Sequence, residues 1–265
     1  MRAGEYLRSR SKGGSGMDAA GKMAVVTGAG RGVGRSIALK LAEAGADVAI
    51  LYRKKPETAQ EVKGRIQKMG HRVEAYPCDV SDPGRVHATF EEIKKFFGRI
   101  DILVNNAGLA SWGNYIHDTS VEEWDKILKA NIYGPFFCTR EVLPVMRNQK
   151  SGHIINISSS ITRMYPVTGG PYAVAKSGLE ALTKVLAKEE VENNIHVNAI
   201  APGLVETDMG RKLVGLEDMK TMYAQSPFGR VCQPEDIANM VLYLVSEKGS
   251  YIHGQVIYVN GGMAS

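Results

Sequence analysis

The chain has 265 residues, of which 44% are hydrophobic and 23% charged. This is the composition of an ordinary globular protein, and it excludes disordered and collagen-like chains. A single α/β domain commonly reaches this length, so we expect one domain. The three cysteines lie far apart without a CxxC pair. Their spacing argues against a disulfide framework and a cysteine-built zinc site, and it favours a reducing, cytoplasmic location.

The net charge of +5 is concentrated at the N-terminus, where residues 1–22 carry five Lys or Arg against two Asp or Glu. The rest of the chain has no basic run interleaved with aromatic residues, so we expect no nucleic-acid partner. No segment has the length of a membrane span, and the leader lacks the apolar core of a signal peptide. We predict a disordered leader over residues 1–21, with a transit peptide as the alternative, and one domain over residues 22–265.

Short β-branched segments alternate with longer amphipathic segments from residue 22 onward. Seven segments are predicted strands: Met23–Thr27, Val48–Tyr52, Arg72–Tyr76, Ile100–Val104, His153–Ile157, His196–Ile200 and Gln255–Val259. Six segments with helical spacing of apolar residues are predicted helices: 33–44, 57–69, 82–97, 121–149, 172–193 and 234–246. This alternation predicts an α/β fold with a doubly wound, seven-stranded parallel sheet. Ligands of such sheets bind at the carboxyl ends of the strands.

A glycine-rich turn follows the first strand. Residues 27–34 have the sequence TGAGRGVG, with Gly28, Gly32 and Gly34 at a spacing that differs from GxGxxG. Such a turn brings backbone N–H groups and a helix N-terminus close to a pyrophosphate. A glycine-rich turn without a ligand is the alternative, but its position after the first strand favours a dinucleotide.

The end of the second strand bears on the choice between NAD and NADP. An acidic residue at this point would hydrogen-bond the adenosine ribose of NAD, but the sequence has Arg53 after Tyr52. A guanidinium pairs with a 2′-phosphate, so Arg53, together with Arg31 in the glycine turn, favours NADP. Two solvated loop cations are the alternative interpretation.

Tyr172 and Lys176 open a predicted helix at a spacing of four residues, which places them on one helical face. A phenol titrates near about 10 in water, so it needs nearby positive charge to act as a base at neutral pH. Lys176 and an oxidised nicotinamide would supply that charge, and Ser159 can hydrogen-bond a substrate oxygen. A Tyr–Lys pair alone is more often surface decoration. Its combination with the glycine turn and Ser159 indicates a catalytic site.

Over about residues 22–262 these motifs resemble those of the short-chain dehydrogenase/reductase family. The matches are TGxxxGxG at 27–34, NNAG at 105–108, Asn131, Ser159, YxxxK at 172–176, Pro202-Gly203 and Thr207. The resemblance implies a Rossmann fold and NADP-dependent reduction of a carbonyl to a secondary alcohol.

The same resemblance implies roles for individual residues. Tyr172 would be the general acid/base, Lys176 would lower its pKa and bind the nicotinamide ribose, and Ser159 would orient the carbonyl. Asn131 would hold a water that links Lys176 to solvent. The implied NADP(H)-binding residues are Gly28, Arg31, Gly32, Val33, Gly34, Arg53, Asp79, Val80, Asn106, Ala107, Gly108, Tyr172, Lys176, Pro202, Gly203 and Thr207. No metal is implied, and the six histidines form no sequence cluster.

Within the family the chain looks most like the 3-oxoacyl-[acyl-carrier-protein] reductases. That implies a 3-oxoacyl thioester as substrate and acyl-carrier protein as a possible partner, with Arg147 and Lys150 expected near the site entrance to hold the acidic carrier. Another ketone, a sugar or a steroid alcohol is the alternative substrate. A catalytically inactive cofactor-binding regulatory protein is the alternative class of function. The segment Met209–Arg230 is expected to recognise the substrate.

The family also implies a homotetramer. The two longest predicted helices carry additional apolar residues that one sheet face should not need, namely Phe136, Phe137, Leu182 and Leu186. Burial of these side chains against the sheet is the alternative.

Overall fold

The computed structural model describes residues 18–111, 113–211 and 226–263. Seven strands lie in this part of the chain: β1 Met23–Thr27, β2 Asp47–Tyr52, β3 Val73–Pro77, β4 Ile102–Asn105, β5 Gly152–Ile157, β6 Ile195–Pro202 and β7 Val256–Val259. They form one parallel sheet in the order β3-β2-β1-β4-β5-β6-β7. The predicted doubly wound sheet is confirmed. The strand order reverses between β1 and β4, where ligands of such sheets bind.

The helices that connect the strands are α1 Gly32–Glu43, α2 Pro56–Lys68, α3 Pro83–Phe97, α4 Val121–Leu128, α5 Gly134–Gln149, α6 Ile161–Met164, α7 Gly170–Glu190 and α8 Pro234–Val245. The single helix predicted over 121–149 is wrong in one respect. A π-helical turn over Lys129–Tyr133 separates α4 from α5. Turns of this kind locally widen a helix and are frequent at functional sites.

Helices cover both faces of the sheet, so the central strands are buried on both sides, whereas the edge strands β3 and β7 are only partly buried. Neighbouring residues of one strand therefore enter opposite apolar layers. Ile155 packs with Ile37 and Ile50 in one layer. Ile154 packs with Phe90 and Met146 in the other layer. This two-sided burial explains why the central strands are almost continuously apolar.

The N-terminal boundary differs from the predicted one. Of the predicted leader, residues 1–17 lie outside the described residues. Ala19 is completely buried, and its N–H donates to the carbonyl oxygen of Ala44 at 2.9 Å. The packed structure therefore begins before the predicted boundary at residue 22. Among the described helices, none combines the length and the apolar character that crossing a membrane requires.

Three histidines that are distant in sequence meet at the amino edge of the sheet. His153 and His196 are paired positions of β5 and β6, and their rings stack with centroids 5.2 Å apart. The ring of His253 lies edge-on to His196 at 5.6 Å. Burial lowers the pKa of His153 to about 3, with smaller contributions from Lys22 and His196. Sequence spacing did not reveal this row, because strand pairing creates it.

Candidate active site

A cleft of about 760 Å³ lies along the carboxyl ends of the strands. Its volume falls within the usual range of small-molecule and cofactor sites. Every predicted site residue except Asn131 lines this cleft. The glycine turn after β1 and the residues that follow β2 to β6 all contribute to its wall. The sheet therefore gathers one set of residues that is spread over almost 180 positions of the sequence.

The glycine turn has the backbone geometry that a dinucleotide requires. Gly28 has a φ of +67°, which favours glycine. A Cβ on Gly34 would lie 2.4 Å from Nδ2 of Asn106 and 2.5 Å from the carbonyl oxygen of Gly28. These positions exclude side chains, and α1 begins at once at Gly32 with its N-terminus beside the cleft. The cradle therefore fits the pyrophosphate of a nicotinamide dinucleotide.

Hydrogen bonds of Thr27 connect the segment after β4 to the end of β1. Its Oγ1 accepts hydrogen bonds from the N–H groups of Asn106 and Ala107, both at 2.9 Å. Nδ2 of Asn106 in turn donates to the carbonyl oxygen of Thr27 at 2.8 Å. The two neighbouring strand ends thus form one rigid wall of the cleft.

The cations predicted to choose the cofactor line the end of the cleft at β2 and β3. Arg53 lies 3.8 Å from a carboxylate oxygen of Asp79, and each side chain is 41% exposed. The carboxylate therefore partly balances the charge of Arg53. Sequence analysis named both residues as cofactor contacts but missed the pair, because pairing of β2 with β3 brings it together.

Ser159, Tyr172 and Lys176 lie together where β5 ends and α7 begins. Lys176 is only 4% exposed, and its Nζ donates to the carbonyl oxygen of Ile157 at 2.7 Å. The same Nζ lies 5.6 Å from the centroid of the Tyr172 ring. Burial lowers the pKa of Lys176 to about 8, and the negative charge of Glu180 opposes this shift.

The pKa of Tyr172 departs from the expectation that Lys176 lowers it. Burial raises the pKa of Tyr172 to about 12, and only a hydrogen bond with Ser159 acts in the opposite direction. Loss of hydration therefore outweighs the hydrogen bond with Ser159. At neutral pH Tyr172 is therefore a protonated phenol, which can donate a proton.

Asn131 lies behind the cleft in the π-helical turn. Its Nδ2 donates to the carbonyl oxygens of Ile127 at 2.9 Å and Leu109 at 2.8 Å. Its Oδ1 is buried and has no hydrogen-bond partner among the described residues. A Cβ on Gly108 would lie 2.5 Å from this oxygen and 3.6 Å from Nζ of Lys176. A buried acceptor without a partner is a suitable binding place for a water.

Sequence analysis missed Glu180, which lies one helical turn beyond Lys176. Its carboxylate accepts hydrogen bonds from the hydroxyls of Ser158 and Thr162, both at 2.7 Å. The available signal was a further step of four residues, since Tyr172, Lys176 and Glu180 share one face of α7.

Arg147 and Lys150 do not lie at the site entrance of their own chain, so that expectation is wrong. They end α5 at the amino edge of the sheet, and β5 separates this edge from Ser159 by about 20 Å. Arg147 forms an ion pair with the buried carboxylate of Glu190. Lys150 donates to Oδ1 of Asn193 at 2.9 Å. The two cations thus connect the end of α5 to the end of α7 and to the turn Val191–Asn193 that follows it.

A cluster of three potential metal ligands lies outside the cleft, on the surface between α3 and α5. His87, Glu91 and Glu141 each place one potential ligand atom within 4.8 Å of the others. The expectation of no metal-ligating cluster overlooked this group. Lys94 lies 2.5 Å from Glu91 and 3.7 Å from Glu141, so a cation of the chain itself already pairs with both carboxylates.

Part of the segment predicted to recognise the substrate, residues 212–225, lies outside the described residues. Within the described part, Met209 and Arg211 line the cleft.

Comparison with known proteins gives consistent matches over nearly the whole chain. Residues 28–264 match a family described as enoyl-(acyl carrier protein) reductase. The chain is 42% identical to the 3-oxoacyl-[acyl-carrier-protein] reductase FabG of Staphylococcus aureus strain Mu50, over 91% of this chain and 98% of the relative. It is 39% identical to a short-chain type dehydrogenase/reductase of Picea abies, over 91% of this chain and 92% of the relative.

Among solved structures, 7α-hydroxysteroid dehydrogenase in complex with NADH and 7-oxo glycochenodeoxycholic acid matches with a TM-score of 0.88. The two chains are 32% identical, and the match covers 93% of this chain and 95% of the other.

Proposed function

Because the chain belongs to the short-chain dehydrogenase/reductase family, we propose that it is an NADPH-dependent enzyme that reduces a carbonyl group to a secondary alcohol. The observation that carries this proposal is the grouping of Ser159, Tyr172 and Lys176 beside a cleft that fits a nicotinamide dinucleotide. A buried phenol with a raised pKa beside a buried ammonium is the arrangement of a proton donor.

In the proposed mechanism, the reduced nicotinamide supplies the hydride. Ser159 donates a hydrogen bond to the carbonyl oxygen and orients it toward Tyr172. Tyr172 donates its phenolic proton to that oxygen, and the charge of Lys176 stabilises the phenolate that remains. The unpaired Oδ1 of Asn131 holds a water near Lys176, and this water connects the site to solvent.

We assign the preference for NADPH to Arg53 and Arg31, both of which line the cleft. A 2′-phosphate would attract Arg53 more strongly than the single carboxylate of Asp79, because a phosphate carries more charge and more acceptor oxygens. The steroid dehydrogenase described above contains NADH, so the fold itself does not set this preference.

The proposed substrate is a 3-oxoacyl thioester on acyl-carrier protein, in keeping with the name of the Staphylococcus aureus relative. Apolar side chains contribute to the cleft and suit an acyl chain better than a sugar: Leu109, Ile161, Met164, Pro166, Leu204 and Met209. Since Arg147 and Lys150 lie at the opposite edge of the sheet, the carrier needs other cations at the entrance of this chain's cleft.

We also propose a homotetramer with two-fold axes. Of the four apolar residues expected to cover a partner, Leu186 is buried in the chain's own core, and Phe137 and Leu182 are partly buried against that core, whereas Phe136 is 44% exposed. Tyr133, Val174 and Val185 are about half exposed on the same pair of helices or the turn before them. Exposed apolar side chains of this size support the proposal that these helices associate with a second copy. Light scattering that shows a monomer at micromolar concentration would reject the tetramer.

Oxidation of NADPH with a substrate panel tests the proposed function. The panel contains acetoacetyl-carrier protein, the same acyl group on a small thiol, a steroid ketone and a keto sugar. We expect the carrier-bound substrate to give the highest kcat/KM. A higher kcat/KM for a free ketone would assign the chain to the general carbonyl reductases of the family. Tight NADPH binding without turnover of any substrate would instead identify an inactive cofactor-binding protein.

A further inference from the structure

The carboxylate of Glu180 joins three elements around the proposed active site. Oε1 accepts from Ser158 and Thr162, which stand on either side of Ser159 in the sequence. Oε2 lies 3.4 Å from the hydroxyl of Tyr258, which belongs to the edge strand β7. Glu180 itself lies on α7, the helix that carries Tyr172. One side chain therefore ties the segment after β5 and the edge strand to the helix.

The segment that carries Ser159 is held on both sides through this carboxylate. Oγ1 of Thr162 lies 2.9 Å from the carbonyl oxygen of Ser159 and 3.0 Å from the hydroxyl of Tyr258. The main-chain N–H of Ile161 donates to Oγ of Ser159 at 3.3 Å. Movement of this segment relative to α7 would break several of these bonds at once. The bonds thus restrain the separation of the Ser159 and Tyr172 hydroxyls.

Glu180 also supplies a negative charge one turn from a buried ammonium. Within the described part of the chain, the three groups that donate to its carboxylate are hydroxyls, which carry no charge. The carboxylate attracts Lys176 and opposes the loss of hydration that lowers the pKa of Lys176 to about 8. Further titratable or charged groups of the described chain near this pair are Tyr172, Tyr258 and Arg163, whose guanidinium lies 3.9 Å from the centroid of the Tyr258 ring, and the exposed Lys184, which follows Glu180 by four residues on α7.

We propose that Glu180 is a positioning residue for the reductase reaction, which fixes Ser159 against Tyr172 and acts as the counter-charge of Lys176. This inference rests on the proposed function of the same site. Glu180 need not touch the substrate, since it acts through Ser158, Thr162 and Lys176. The functional face of α7 therefore comprises three residues at a spacing of four, namely Tyr172, Lys176 and Glu180.

The first test compares Glu180→Gln with Glu189→Gln, the same substitution at an exposed position of α7. We expect Glu180→Gln to lower kcat/KM for carbonyl reduction at least about tenfold, because the lost hydrogen bonds involve a charged acceptor. Without the carboxylate, Lys176 loses its proton more easily. The alkaline decline of kcat/KM should therefore move to lower pH in Glu180→Gln and stay in place in Glu189→Gln.

Ser158→Ala separates positioning from charge, because it removes one hydroxyl from Glu180 and keeps the carboxylate. We expect it to lower kcat with little change in KM and with the alkaline decline of the wild type. If Glu180→Gln does not fold, as judged by circular dichroism, Ser158→Ala and Tyr258→Phe carry the test. Wild-type kcat in both of these variants would overturn the positioning role.

Binding of NADPH supplies a readout that does not depend on turnover. The dissociation constant, measured by fluorescence across the pH range, should rise as Lys176 loses its charge, and it should rise at lower pH in Glu180→Gln. If the wild type reduces no carbonyl, the proposed function fails while this measurement still tests Glu180. Identical pH profiles of binding in the wild type and Glu180→Gln would overturn the counter-charge role.

Discussion

The two edges of the parallel sheet contain polar groups in contrasting states. At the amino edge, the carboxylate of the completely buried Glu190 accepts hydrogen bonds from Nε of Arg147 at 2.9 Å and from Nδ2 of Asn193 at 3.1 Å. At the carboxyl edge, Asn131 has a buried oxygen without a partner, and burial lowers the pKa of Lys176. At the amino edge the buried charge of Glu190 is paired within the chain, and the buried ring nitrogens without a partner among the described residues there, Nδ1 of His153 and of His196, lie outside the cleft. At the carboxyl edge the desolvated Lys176 lines the cleft, with the unpaired oxygen of Asn131 behind it.

This difference separates stability from function. Buried polar groups cost free energy unless they are paired, so paired groups are compatible with a purely structural role. Unpaired or desolvated groups in a cleft are retained at that cost and are candidates for binding and catalysis. Substitutions at the two edges should consequently affect different measured quantities.

The largest expected effect is at the carboxyl edge. Tyr172→Phe removes the proposed proton donor and keeps the ring, so we expect kcat to fall about 10³-fold. NADPH should still bind, because the substitution leaves the glycine cradle intact. Steady-state kinetics and a fluorescence titration of NADPH measure the two effects. Near-native turnover by the Phe variant would contradict the mechanism.

At the amino edge, Arg147→Ala should affect stability and leave catalysis unchanged. It removes the cation that faces the buried Glu190, and we expect the free energy of unfolding to fall by about 2 kcal/mol. The value stays below that of a fully buried pair because the Arg147 side chain is 52% exposed. Urea unfolding measures it, with the exposed Arg140→Ala on α5 as control. A loss of kcat without a loss of stability would contradict the division between the edges.

The histidine row should make the amino edge sensitive to acid. His153 has a folded-state pKa of about 3, below its unfolded value near about 6.5, so the unfolded chain binds a proton first as pH falls. Stability is therefore lost below about pH 6.5. His153→Leu should reduce the slope of the free energy of unfolding against pH in this range by up to about 1.4 kcal/mol per pH unit. Urea unfolding at several pH values tests this, with the exposed His117→Leu as control; equal slopes in wild type and His153→Leu would refute it.

The smallest expected effect concerns cofactor choice at the carboxyl edge. Arg53→Asp should reverse the preference, with the ratio of kcat/KM for NADPH over NADH falling at least about tenfold. The same substitution at the exposed Arg65 of α2 should leave the ratio unchanged. Equal use of both cofactors by the native protein would remove Arg53 from the proposed NADPH contacts.

The sequence alone determined the features that depend on local patterns. Each of the seven strands was predicted to within two residues at its ends, because β-branched runs and helical periodicity are local properties of the chain. The glycine turn was equally readable, since Gly28 and Gly34 meet backbone requirements within a few residues. The spacing of Tyr172 and Lys176 placed them on one helical face for the same reason.

Only the tertiary structure decided which distant groups meet and what surrounds them. The Arg53–Asp79 pair, the histidine row and the hydroxyls on Glu180 each join residues from separate elements, so they depend on strand order and register. The π-helical turn that holds Asn131 interrupts a helix whose apolar periodicity is continuous. Burial, which no single-sequence pattern measures, raises the pKa of Tyr172 and lowers that of Lys176. The position of Arg147 and Lys150 at the edge opposite the cleft is different in kind. It already followed from the predicted parallel topology, because a helix that returns to the start of a parallel strand ends at the amino edge.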